Sequence, residues 1–158
     1  MKLLIPTLLI STLFVGVARA QDNTQKPARQ FNLDKEGLAI KGYDPVAYFT
    51  DDKAQEGKKD LAVTVGGTTY LFASTRTRDL FKSNPEKYQP QYGGWCAYAM
   101  GATGEKVDID PGTFKILDGK LYLFYNQLFN NTKKSWNKDE KNLKARADLN
   151  WQKFISAH

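Results

Sequence analysis

The chain has one cysteine, Cys96, and one histidine, His158, at its last position. Cys96 stands four residues before Met100 in Tyr92-Gly93-Gly94-Trp95-Cys96-Ala97-Tyr98-Ala99-Met100. If the glycines lead into a helix, both sulfurs lie on one face, one turn apart. A thiolate and a thioether are soft donors that suit cuprous copper. Two donors make an open, transfer-type site at most. The competing reading is a small buried residue beside a core filler. Redox or nucleophilic work by Cys96 would need a second cysteine or a nearby base. The chain offers neither within reach, which leaves an intermolecular disulfide if the thiol is exposed.

Two further groups carry chemistry. Glu105, Asp108 and Asp110 are hard oxygen donors of the kind that hold calcium or magnesium. They lack the ligand number and loop length of a calcium motif. Asp110 is equally placed to cap the turn at Pro111-Gly112. Tyr43, Tyr48, Tyr92 and Trp95, flanked by Gly42, Gly93 and Gly94, are the candidates for a concave aromatic pocket for a small ligand. The same rings would also serve as core. No phosphate loop, nucleotide fingerprint or Ser-His-Asp order occurs, so no catalytic residue is assigned.

The elements that must position these groups begin after a leader. Lys2, the apolar run Leu3 to Val17 and the small-x-small triplet Ala18-Arg19-Ala20 read as a signal peptide over residues 1–20. The run is short for a bilayer span, which needs about 20 apolar residues. Export, to a bacterial periplasm, is the expectation. Cleavage leaves 138 of the 158 residues and, with Lys2 and Arg19 gone and no acid in the leader, takes the formal charge from +6 to +4. The excess lies around Lys133, Lys134, Lys138, Lys141, Lys144 and Arg146, interleaved with Asp139, Glu140 and Asp148. That is a solvated helix face, not a nucleic-acid groove. Residues 21–30 read as a flexible segment, and 31–158 as a single domain.

Within that domain Asp44-Pro45 opens a short turn or helical segment. Residues 51–60 read as an exposed loop. Leu61–Val65 and Thr68–Phe72 form a hairpin about Gly66-Gly67. Ser74 caps a helix over 75–83, and Pro85–Tyr88 is a short helical turn. Residues 92–100 are helical after the glycines. Phe114–Leu117 and Lys120–Tyr125 form a second hairpin about Asp118-Gly119. Asn126–Trp136 is predicted as a helix. A longer amphipathic helix over 139–155 buries Leu143, Ala147, Trp151, Phe154 and Ile155. The fold class is α+β: short antiparallel hairpins packed against helices, with a long amphipathic C-terminal helix.

Two blocks carry a family resemblance. They are Gly42-Tyr43-Asp44-Pro45-Val46-Ala47-Tyr48-Phe49, and Leu71-Phe72-Ala73-Ser74 running on to Phe81 and Asn84-Pro85-Glu86-Lys87-Tyr88. The chain resembles the YHS domain family from about Gly42 to Phe154, and is similar to its longer, exported branch. Metal-binding members carry cysteines after Asp-Pro-Val and in Phe-Cys-Ser-x-x-Cys. Here those positions hold Ala47, Ala73 and Thr77. The frame is kept and the ligands are absent. A zinc site of Cys₄ or Cys₂His₂ type is excluded by counting. The resemblance implies a non-enzymatic binding module, with copper or a small ligand near Cys96 as the expected occupant. A thiol-dependent redox or enzyme-accessory protein is the alternative. So is a purely structural interaction domain, whose partner would be a protein docking on exposed aromatics.

Overall fold

A computed structural model describes residues 30–157 of the chain. The leader over 1–20, most of the 21–30 segment and His158 lie outside the described residues. Gln30 itself is held in place. It is buried, and Trp95 Nε1 donates to its carbonyl at 2.7 Å.

The element order is α1 (Ala47–Thr50), β1 (Lys58–Val65), β2 (Thr68–Phe72), α2 (Thr75–Ser83), α3 (Pro85–Tyr88), α4 (Ala97–Ala102), β3 (Asp110–Leu117), β4 (Lys120–Phe124), β5 (Asn126–Gln127), β6 (Asn130–Asn131), α5 (Thr132–Lys138) and α6 (Glu140–Ser156). The architecture is α+β. Strands pair as three antiparallel hairpins, β1–β2, β3–β4 and β5–β6, each closed by a two-residue turn. The expected loop over 51–60 ends early, because Lys58 to Asp60 already belong to β1.

Local chemistry explains most boundaries. Ser74 and Thr77 form a reciprocal capping box at the start of α2, which satisfies N–H groups the helix cannot. Asn84 accepts from Lys87 N–H, and Pro85 opens α3 where its missing donor costs nothing. Two helical expectations are corrected. Residues 126–131 are not helix but the third hairpin. Cys96 does not lie inside α4 but precedes it, with non-helical backbone (φ −57°, ψ 116°).

The core has two parts, and β4 is the wall between them. Leu121 and Leu123 face a cluster containing Tyr48, Tyr70, Phe72 and Phe81. Tyr122 and Phe124 face a second, containing Met100, Trp136, Leu143 and Trp151. Alternate residues of a strand point to opposite faces, so a strand covered on both sides is apolar throughout. Rings do much of the filling. Tyr48 meets Phe114 edge-on at 4.7 Å, and Phe124 meets Trp136 at 5.6 Å.

Helix α6 closes the second cluster with Leu143, Ala147 and Trp151; Phe154 and Ile155 are half-buried at its end. It crosses α4 closely at Gly101, where any Cβ would strike the Leu143 carbonyl. Arg146 Nε donates to Gly101 O at 3.0 Å and Asn150 Nδ2 to Met100 O at 2.9 Å. The unpaired carbonyls at the end of α4 therefore find partners on α6.

Candidate functional site

Cys96 is set in place by an abrupt change of direction. Tyr92, Gly93 and Gly94 all have positive φ. A Cβ at Gly93 would meet the Trp151 ring at 2.8 Å, so only glycine fits there. The chain then enters α4 with Cys96 at the cap position and fully buried. Its side chain packs in the first cluster, whereas Met100 packs in the second. The two sulfurs expected to share a helix face are divided between two cores. Among the described residues no three His, Cys, Asp or Glu side chains come together as a metal site.

What the thiol does instead is visible in its contacts. Tyr125 N–H donates to Cys96 Sγ at 3.3 Å. Thr132 Oγ1 lies 3.4 Å from the sulfur and donates to Tyr125 O at 2.8 Å. The hydroxyl hydrogen is thus used on the carbonyl, which leaves the S–H to donate to Thr132 Oγ1. Cys96, Tyr125 and Thr132 close a small polar ring. Tyr125 and Thr132 are the residues immediately before and after the β5–β6 hairpin. The cysteine is a clasp at the base of that hairpin.

The positions where the resemblance would place thiols also form a joint. Asp44 is fully buried. Its carboxylate accepts from Val46 N–H at 2.8 Å, from Ala47 N–H at 3.4 Å and from Ala73 N–H at 2.8 Å. Ala47 and Ala73, 26 residues apart in the numbering, share one buried anion. Thr77 is bonded to Ser74, the residue after Ala73, in the capping box. A buried carboxylate with several N–H donors is satisfied without a counter-ion. This joint ties the Asp-Pro-Val block to the exit of β2.

The four aromatic residues of the expected pocket do not meet. Tyr43 and Tyr48 belong to the first cluster, Tyr92 and Trp95 to the second. Each polar end is separately used. Tyr48 donates to Pro111 O at 2.9 Å and Tyr92 to Asp148 at 2.8 Å. Burial pushes both hydroxyls far above the ordinary tyrosine value, with the Asp148 carboxylate reinforcing the effect on Tyr92. Two shallow surface depressions, one around Lys41 and Asp108, the other around Asn150 and Phe154, include none of the four.

The acidic stretch does not converge either. Asp110 accepts from Gly112 N–H at 3.0 Å and from Thr113 Oγ1 at 2.7 Å, the turn-capping role. Asp108 pairs with Lys41 at 2.8 Å and accepts from Asn32 at 3.0 Å. Partial burial raises its carboxyl, but Lys41, Asn32 and the Ile109 N–H together hold it below the ordinary aspartate value. Glu105 accepts from Thr103.

One feature was not reached from the sequence. Leu128 and Phe129 form the turn of the β5–β6 hairpin, 88% and 109% exposed. Both have positive φ, 49° and 65°. A left-handed backbone at bulky residues costs on the order of 1–2 kcal/mol each. The amides around them, Asn126-Gln127 and Asn130-Asn131, were the available signal, since asparagine favours turns. No protein-family model, curated protein or solved structure matches the chain.

Proposed function

We propose that this chain is an exported, non-enzymatic binding module of the YHS type, whose contact with its partner is made through the Leu128–Phe129 tip. The observation that carries this reading is the exposure of two large apolar side chains on a turn they do not suit. Strained, exposed residues persist where function uses them. The surroundings support it. The cysteine, the capping threonine and the buried aspartate all serve to hold the frame. The clasp at Tyr125 and Thr132 fixes the base of the hairpin, so the tip is presented on a rigid support. The remaining exposed large apolar residue among those described, Leu149, is a single side chain of the kind any surface carries.

The test is a photo-reactive amino acid placed at position 129 in cells that export the protein. A parallel chain carries it at exposed Lys82, on α2. Adducts formed at 129 and not at 82 are expected. Equal labelling at both positions, or an absence of both protein and lipid adducts at either, would remove the reading.

A further inference from the structure

The partner at the tip can be narrowed by its chemistry. Resting on the contact role just proposed, we infer that the Leu128–Phe129 tip docks into the interface of an anionic lipid bilayer. Three observations lead there.

The first is size. Protein–protein interfaces of ordinary stability use about 20–30 residues a side. The apolar tip offers two. Two side chains are too few to hold a protein partner or a second copy by burial alone, but a bilayer interface accepts a small apolar wedge.

The second is the absence of charge on what would be immersed. Asn126-Gln127-Leu128-Phe129-Asn130-Asn131 contains no ionisable group. The hairpin can enter the headgroup region without stripping water from an ion.

The third is the charge just behind it. Lys133 and Lys134 follow the hairpin after one residue, Thr132. Among the described residues neither has a carboxylate within ion-pair distance. Two of the neighbouring acids are paired with other cations, and the third, Asp110, has only neutral hydrogen-bond donors as partners. Glu140 is paired with Lys115 and Asp139 faces Arg146. Asp110 is bonded to Gly112, Thr113 and Asn126. Lys134 is exposed; Lys133 lies 5.9 Å above the Phe114 ring and is half-buried. An apolar, uncharged tip with unpaired lysines at its collar is complementary to a surface of anionic headgroups over hydrocarbon.

The experiment measures partition onto vesicles of phosphatidylcholine alone and of phosphatidylcholine mixed with phosphatidylglycerol. It uses protein recovered after export, with its N-terminus checked by intact mass so that the apolar run 1–20 does not report. Wild type is expected to bind the mixed vesicles and to bind neutral ones less. Leu128→Asn with Phe129→Gly supplies a turn pair suited to positive φ. It should lower binding by roughly tenfold or more while its circular dichroism and melting temperature are kept or raised. Lys133→Gln and Lys134→Gln should each lower binding to mixed vesicles by about fivefold, and Lys82→Gln should not. Equal binding by wild type and the turn variant overturns the inference, as does an absence of vesicle binding. If vesicle binding is absent while protein adducts form at position 129, the bilayer is wrong and the contact role stands. If tip-dependent dimerisation is seen without lipid binding, the occupant is a second copy. If neither adducts nor vesicle binding are found, both readings fail.

Discussion

The first and third hairpins of this protein solve one geometric problem with opposite residue types. Gly66 and Gly67 turn β1 into β2 with φ of 58° and 80°; Leu128 and Phe129 turn β5 into β6 with φ of 49° and 65°. Both turns are of the kind with positive φ at both positions, a twist that matches the strands. Glycine meets the need without a Cβ clash. Leucine and phenylalanine meet it against steric preference and expose their side chains as well. The middle hairpin, with Asp118 and Gly119, follows the ordinary rule. The difference separates a turn whose residues suit its backbone from one whose residues do not.

That comparison can be broken most forcefully by moving the unsuited pair. Gly66→Leu with Gly67→Phe places it on another exposed turn. A loss of about 2–4 kcal/mol in urea unfolding is expected from two left-handed bulky residues. A loss near zero would mean that the third turn is not strained. The reverse exchange, Leu128→Asn with Phe129→Gly, should gain stability, by about 1–2 kcal/mol. Asparagine keeps part of the left-handed cost, so the gain is smaller than the loss.

The base of the third hairpin should respond in the opposite sense to its tip. Cys96→Ala leaves the Tyr125 N–H without its acceptor and should cost about 1–2 kcal/mol. Cys96→Ser, which keeps a donor and an acceptor, should cost less. In the native protein the thiol should resist alkylation and react only on unfolding. Fast native alkylation would show that the clasp is open, and would favour a thiol role.

The smallest effect is in pH dependence. Asp108 and Glu140 are both held below their ordinary values. Burial opposes the shift in Asp108, where Lys41 leads the groups that lower it. In Glu140 the Lys115 hydrogen bond is the largest cause. Their contribution is therefore present above the ordinary carboxyl range, near pH 4, and is lost as pH falls through the lower folded values. Both groups are partly exposed, so the loss should be below about 1 kcal/mol. The third hairpin has no titratable group. Acid unfolding curves of wild type and of the Leu128→Asn, Phe129→Gly variant should run parallel. Divergence below pH 5 would place an ionisable group at the tip.

Much of the fold was legible because local chemistry agreed with it. Gly66-Gly67 and Asp118-Gly119 marked two turns. Ser74 marked a helix start, and Leu143, Ala147 and Trp151 marked the buried face of α6. The third hairpin departs from the helix expected over 126–136 because Leu128 and Phe129 contradict turn chemistry, and a short apolar pair among polar residues also fits helical spacing. The expected site was less legible still. Cys96 and Met100 have the four-residue spacing of a shared helix face, and the backbone supports it, since Met100 N–H donates to Cys96 O at 3.0 Å. But Cys96 is the cap rather than the first turn, and a non-helical residue directs its side chain by a different rule from a helical one.

The residue types alone determined the α+β class, two hairpins, the capped and amphipathic helices, and the presence of a single cysteine. Those follow from periodicity, from turn residues and from counting. Tertiary structure decided that Asp44 bonds the backbone at both Ala47 and Ala73, that the two sulfurs face different cores, and that Leu128 and Phe129 stand in solvent. These depend on contacts between segments distant in the chain. Side-chain direction and exposure belong to the packed whole, and spacing along a sequence does not contain them.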